Sequence, residues 1–326
     1  MYPLKFKNIY YEKVWGGRDL ARFRDNLPDG NIGESWDVAC HPHGMSIISN
    51  GEFKDTRLDD LIKQKGEGLI GKKISKNRFQ ILIKILNTRG KLSVQVHPND
   101  EYAKRVENEM GKNEVWYVMD AFEDANLIVG LKKKCTQEKL RKAIEDGNLE
   151  DCMNKVPIKK GETYFIKSGL IHTICEGAII VEIQQNSDTT YRVYDYNRGR
   201  ELHIEKALEA IDFNLKGEKS TGLKVEKDDF SKTYLCLGKD FSLELYEVNS
   251  NFFEKSDAER FYIFTCVEGR GKIAYESGVE HIKKGDSIFI PASLGAYRIE
   301  GKMKLLKSYI PDIEKVEQEI LREVRK

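Results

Sequence analysis

The sequence predicts a mainly β protein built from two copies of one β-barrel unit, with a small helical insertion in the first copy. Three observations lead to that reading. Apolar residues come in short β-branched runs such as Phe79-Gln-Ile-Leu-Ile-Lys-Ile-Leu86, bounded by turn residues. Two stretches are near copies, Gly161-Glu-Thr-Tyr-Phe-Ile166 and Gly285-Asp-Ser-Ile-Phe-Ile290, lying 124 residues apart. The third is the strand Lys91-Leu-Ser-Val-Gln-Val-His97, whose alternation sends Val94 and Val96 to one face. Ser93, Gln95 and His97 share the other face. A polar row of that kind must meet water, a ligand or a metal, because an unpaired buried polar group is costly.

Length and charge narrow the classes. The chain has 326 residues, enough for one large or two ordinary domains. Lys+Arg is 54 against Asp+Glu 53, so no global field draws nucleic acid or an anionic membrane. No apolar run approaches the length of a membrane span, and the N-terminus lacks a signal-peptide pattern. The six cysteines are scattered without a C-x-x-C pair, which fits reduced thiols in the cytoplasm.

Along the chain, Leu58, Leu61 and Ile62 share one stripe and predict a helix over 58–65. His41 and His43 form an H-x-H pair, but Pro42 and Gly44 make it a turn without a matching carboxylate. Asn99 or Asp100 starts a helix running to about Met110. The strand Lys112 to Met119 places Glu114, Trp116 and Val118 on one face. Residues 135–155 are the helical insertion, capped by Thr136 and stopped at Gly147. Later strands put Ile180, Glu182 and Gln184 on one face, and Thr190, Arg192 and Tyr194 on another, with Arg198 in the following loop. A helix is expected over 204–211, and the lysine-rich segment 214–229 reads as a linker. A short amphipathic helix is expected over 313–324. The expected domains are residues 1–230, holding the insertion, and 231–326.

A second, weaker repeat pairs Glu114-Val-Trp-Tyr-Val118 with Glu259-Arg-Phe-Tyr-Ile263, 145 residues apart. Counting from each repeated glycine, Gly169 and His172 of the first copy meet Ser293 and Ala296 of the second. The spacing Gly-x7-Gly-x-x-His at 161, 169 and 172 resembles the second motif of cupin barrels, with Lys167 where that motif usually has proline. Two cupin-like, jelly-roll type barrels are therefore expected, only the first with metal ligands. Gln95, His97, Glu114 and His172 fall on its successive strands. Two imidazoles, a carboxylate and an amide oxygen suit a borderline divalent ion, zinc first.

The segments Gln95-Val-His-Pro-Asn-Asp100, Lys112-Asn-Glu-Val-Trp116, His172 followed by Glu182, and Tyr191-Arg-Val-Tyr-Asp195 resemble the type I phosphomannose isomerases of the short bacterial kind. Trp15-Gly-Gly17 and Gly33-Glu-Ser-Trp36 are similar too, so the resemblance spans essentially the whole chain. It implies a zinc-dependent cupin enzyme, with one Zn2+ per chain, interconverting mannose 6-phosphate and fructose 6-phosphate through a cis-enediolate. The implied zinc ligands are Gln95, His97, Glu114 and His172. Ser93, Lys112, Glu182, Arg192 and Arg198 are implied to line the pocket, Arg192 as the catalytic arginine. The family often carries lysine at position 198 and proline at 113. The chemistry fits these residue types: such an isomerisation needs an oxyanion stabiliser, a base of moderate pKa, for which Glu182 is one candidate, and cations for a phosphate. Spacing does not say which cation serves the phosphate and which the enediolate. Two rival readings are a sugar-phosphate sensor on the same barrel and an iron-dependent cupin oxygenase. The first would not need four metal ligands, and the second usually wants histidine where Gln95 stands. The sequence is silent on oligomeric state.

Overall fold

The computed structural model describes residues 1–133 and 135–324. They form two compact units that are not contiguous in sequence. One comprises residues 10–35 and 84–220, the other residues 1–9, 36–83 and 221–326. The division expected at 230 differs on this point, because residues 1–9 and 36–83 cluster with the C-terminal part. Strands dominate both units, as expected, but among the described residues no sheet closes on itself into a barrel.

In the first unit a five-stranded sheet runs in the order Met153–Pro157, Asn126–Leu131, His172–Ile174, Val94–Val96, Tyr191–Tyr194. Its register matters for everything that follows. Gln95 lies directly opposite His172 on one side and Arg192 on the other, so the three side chains share one face. The opposite face carries Val94 and Val96, which pack with Leu140, Leu149, Ala207 and Leu208. Those partners belong to the insertion and to the helix Ile204–Ala210. The helical insertion thus covers the apolar side of the strand whose polar side holds the histidine. Its helix is Gln137–Glu145, with Thr136 accepting the cap hydrogen bond from the Lys139 N–H.

The second sheet of this unit includes Thr163–Ile166, Glu114–Ala121 and Ala178–Gln185 as neighbours. Glu114 faces Ile166 and Gln184, while Trp116 faces Tyr164 and Glu182. Alternation then puts Glu114 and Glu182 on one face, beside a core of Leu86, Trp116, Ile166 and Ile180. The helix expected to reach Met110 ends at Val106, because Asn108 adopts a left-handed backbone (φ 55) that stops the ladder.

The other unit is organised on a nine-stranded sheet whose long strands are Tyr262–Tyr275 and Ala296–Tyr309. The expected helices Leu58–Lys65 and Ile313–Val324 are both present. The expected linker 214–229 is partly strand, with Lys219–Ser220 and Leu223–Glu226 each pairing at a sheet edge. Its charged residues are compatible with an edge strand, where charge also blocks pairing between molecules. No helix among the described residues is long and apolar enough to cross a membrane.

Around the two repeated glycines the local backbone is alike, and one point of the expected alignment is corrected. Gly161 and Gly285 share the same positive φ (89 and 91), and each donates to a strand carbonyl, Val118 and Cys266. Ile166 pairs with Glu114 in the first copy, and Ile290 pairs with Tyr262 in the second. The counterpart of Glu114 is therefore Tyr262 and not Glu259. Ala296 is exposed, and the inward place beside it belongs to Tyr297. Sequence similarity misplaced the register because Glu259 and the aromatic residues after it imitate the Glu114 stretch just upstream of the position that strand pairing sets.

Candidate metal centre and substrate pocket

Three side chains converge on one point in the first unit. His97 Nε2 lies 3.5 Å from Glu114 Oε2, and His172 Nε2 lies 3.5 Å from Glu114 Oε1. Their ligand atoms all fall within 4.8 Å of one another. All three residues are buried, Glu114 completely. The rings are held from behind, His97 Nδ1 by the Thr189 carbonyl at 2.9 Å and His172 Nδ1 by the Leu170 carbonyl at 2.8 Å. Donation from Nδ1 fixes the tautomer and leaves each Nε2 lone pair aimed at the centre.

Electrostatics agree with that geometry. Burial, then Lys112 and His172, hold His97 well below the usual histidine range, and burial takes His172 down to about 4. Both imidazoles are neutral at physiological pH, the form that ligates metals. Neither oxygen of Glu114 accepts a hydrogen bond, although Lys112 Nζ stands 3.0 Å from Oε2. Lys112 compensates this fully buried carboxylate on the Oε2 side only, while Oε1 faces His172 Nε2 at 3.5 Å without a donor, and such a group is costly unless a cation sits against it. Two neutral imidazoles and this carboxylate therefore fit a divalent ion. Gln95 presents its amide 3.5 Å from His172 Nε2, with Nε2 as the nearer atom. Amide nitrogen and oxygen exchange places by a half-turn, so Gln95 can offer Oε1 as a fourth ligand.

Beside this centre lies a cavity of about 240 Å3, lined on one side by Ser93, Gln95, Lys112 and Glu182, and on another by Arg192 and Arg200. The sequence missed several of its walls. Lys84, the lone charge in the apolar run 79–86, is buried, with Nζ 3.8 Å from Glu34, 3.7 Å from Glu182 and 3.7 Å from Asp188. Burial opposes its charge, but Glu34, Glu182 and Asp188 outweigh burial and keep it protonated. Glu182 accepts from Trp116 Nε1 at 3.0 Å. Burial, and then Glu114, push its carboxyl above the usual range against the pull of Lys112 and Lys84. Perturbation by burial plus named charges is characteristic of acid–base groups.

Arg198 is not among the residues lining the cavity. It donates to the Asp195 carbonyl (2.9 Å), the Lys91 carbonyl (2.7 Å) and Asp195 Oδ1 (2.8 Å), and so braces the loop. Arg200, two residues on, reaches the cavity instead, held by Asp195 Oδ2 at 3.0 Å and Oδ1 at 2.5 Å. A charge count over the loop sees two arginines, Arg198 and Arg200, but not which one turns inward. Burial and the neighbouring Arg200 lower the pKa of Arg192, as expected for two cations facing a shared space that an anion would fill.

In the other unit the corresponding positions are filled by the chain itself. Tyr297 donates to Glu254 at 2.7 Å, Lys307 pairs with Glu254, and Lys307 Nζ lies 3.8 Å over the Tyr262 ring. The His97–Glu114–His172 group has no such equivalent there among the described residues. Expected metal content is accordingly one divalent ion per chain, and a reproducible value near two by elemental analysis would overturn the assignment.

Comparison with known proteins accords with this site. Residues 4–129 match the family described as phosphomannose isomerase type I, catalytic domain, and residues 231–310 match the mannose-6-phosphate isomerase cupin domain. The chain is 36% identical over 315 residues to the mannose-6-phosphate isomerase ManA of Bacillus subtilis, covering 94% of this chain and 99% of that protein. It is 32% identical over 314 residues to the mannose-6-phosphate isomerase of Streptococcus mutans, covering 94% and 98%. A crystal structure of the Bacillus subtilis mannose 6-phosphate isomerase superposes with a TM-score of 0.88 at 32% identity, covering 94% of this chain and 99% of that one. The structure of a putative mannosephosphate isomerase from Archaeoglobus fulgidus shares the fold, with a TM-score of 0.76 at 22% identity over 95% and 98% of the two chains. With a relative more than 30% identical across nearly its full length, the chain belongs to the type I phosphomannose isomerases, a family of isomerase enzymes.

Proposed function

We propose that the protein is a zinc-dependent aldose–ketose isomerase that interconverts mannose 6-phosphate and fructose 6-phosphate through a cis-enediolate. The observation that carries this reading is the buried His97–Glu114–His172 group, whose ligand atoms converge on one point, beside a cavity lined by both carboxylates and cations. His97, Glu114, His172 and Gln95 would hold the ion. When bound, zinc supplies Lewis-acid stabilisation of oxyanion charge at the sugar carbonyl or hydroxyl. The remaining work falls to the chain. Glu182, with its raised pKa, takes a proton from one of the two adjacent carbons and returns it to the other. Lys84 and Lys112 flank Glu182 and hold its charge while it does so. Arg192 faces the developing enediolate, and Arg200 serves the phosphate. Ser93 Oγ stands 3.3 Å from the Gln95 amide and, as a hydroxyl that can donate or accept, steadies it in either orientation. Six cysteines, none in a disulfide, support a reducing, cytoplasmic setting.

The first experiment is turnover of mannose 6-phosphate before and after chelation, with zinc added back. Activity that survives full removal of metal would refute the zinc reading. For Arg200→Ala the expected result is a raised KM with turnover largely kept, because binding to a remote phosphate is uniform along the reaction. Arg198→Ala would show that KM change instead if the bracing contacts open on substrate binding, and steady-state kinetics on both variants decide between them.

A further inference from the structure

Trp116 stands behind the substrate cavity and not in it. The side chain is buried in the cluster that holds Leu86, Leu127, Ile166 and Ile174, and it is not among the residues lining the cavity. Strand register sets Trp116 directly opposite Glu182, and its indole Nε1–H donates to Glu182 Oε2 at 3.0 Å. The same ring meets that of His172 edge-on, with centroids 5.3 Å apart at 77°. Glu114 precedes it by two residues on the same strand face. One enclosed side chain therefore touches both the carboxylate assigned to proton transfer and a member of the metal group.

A buried indole N–H needs an acceptor for stability alone. What gives this one a further role is the acceptor it has, a carboxylate that lines the cavity. Among the described residues it is the one hydrogen bond that Glu182 makes. Lys84 and Lys112 Nζ stand 3.7 and 4.0 Å from Oε1, close enough to balance charge but beyond hydrogen-bond length. Those ammoniums sit on flexible four-carbon stems, whereas an indole has two torsions to fix. The two carboxylate oxygens are thereby made unequal. Oε2 is held from behind, and Oε1 is left on the lysine side.

We propose that Trp116 is a positioning residue of the isomerase, fixing Glu182 so that Oε1 and not Oε2 exchanges the carbon-bound proton. The inference rests on the reading of Glu182 as the proton shuttle. Without the indole the carboxylate keeps its charge partners but gains torsional freedom, so it meets the reacting carbon in the right geometry less often.

The test is a double-mutant cycle of Trp116→Phe and Glu182→Gln, read by steady-state kinetics on the metal-loaded protein. Phenylalanine keeps an aromatic ring near His172 and removes the donor. Expected for Trp116→Phe alone is a fall in turnover on the order of ten- to a hundredfold, with KM and metal content near those of the unaltered protein. In the Glu182→Gln background the same change should cost nothing further, because the indole acts through that carboxylate. An equal loss in both backgrounds would overturn the proposal and leave Trp116 as packing. So would unchanged turnover in Trp116→Phe, or a loss confined to KM. If Glu182→Gln itself keeps turnover, the proton-shuttle reading fails and takes this inference with it. A low Glu182→Gln beside a normal Trp116→Phe sinks the inference alone. Where Trp116→Phe does not fold, the indole N–H resonance of Trp116 in the isotope-labelled protein decides the matter. It is expected to move upfield in Glu182→Gln as its acceptor loses charge, and an unmoved resonance would overturn the proposal.

Discussion

Replacing His172 by alanine is expected to abolish isomerase activity and metal binding together, with the fold intact. His172 contributes the Nε2 that completes the group with His97 and Glu114, and its ring is fixed by the Leu170 carbonyl at 2.8 Å. Losing a residue that merely orients a ligand typically lowers metal affinity about 10- to 100-fold. Losing a ligand itself is expected to exceed roughly 100-fold. The fold is held by other means: Ile171 and Ile174, on either side of His172, remain in their apolar clusters. The change leaves a small polar void and not a break in the sheet. Elemental analysis and circular dichroism on the same preparation measure the two halves of this expectation, metal and fold. A variant that keeps full metal while losing activity would remove His172 from the ligand set and recast it as a substrate contact. Loss of metal on changing His41 or His43 would do more damage. That pair sits in the other unit, where the His43 N–H bonds back to His41 Nδ1 at 3.2 Å.

Much of this centre was legible in the sequence because its geometry follows from strand alternation. Once Val94 and Val96 are apolar and Ser93, Gln95 and His97 polar, the sidedness of the strand is set. The same rule places Glu114 with Trp116, and Glu182 with Gln184, on inward faces. What alternation cannot show is which strands become neighbours and which loop side chains turn inward. Lys84 was hidden for that reason: a single lysine in an apolar strand has meaning only when Glu34, Glu182 and Asp188 arrive from elements distant in sequence. Arg198 and Arg200 illustrate the second limit. Two residues apart in a loop, they compete for Asp195, and the contest is decided by the Lys91 carbonyl, which captures Arg198. The boundary expected at 230 differed for a related reason. Residues 1–9 and 36–83 lie far from the C-terminal segment in sequence, and only long-range pairing, such as Leu4 with Phe289, unites them.

For Arg192→Ala the expectation is normal metal content with turnover reduced on the order of a hundred- to a thousand-fold. An always-protonated guanidinium offers no lone pair to a metal, so the ion should stay. Arg192 lies directly opposite Gln95 in the five-stranded sheet, which brings its side chain over the cavity next to the metal centre. Nη1 is tied to the Glu201 carbonyl at 2.7 Å, and Nε is buried without a partner. A guanidinium anchored at one nitrogen, with another unsatisfied, is preorganised for a charge that appears during the reaction. Removing such a donor typically costs this much in turnover. The contrast with Arg200 sharpens the experiment. Arg200 is bound by both carboxylate oxygens of Asp195 and stands at the same cavity, the arrangement of a fixed anchor for an anion present throughout. If Arg192 were also only an anchor, the loss would appear as a raised KM, and turnover at saturating mannose 6-phosphate would stay near normal. That result would refute the catalytic assignment and leave the enediolate to the metal and Lys112. A fall in turnover at unchanged metal content would place Arg192 in the chemistry and Arg200 in binding.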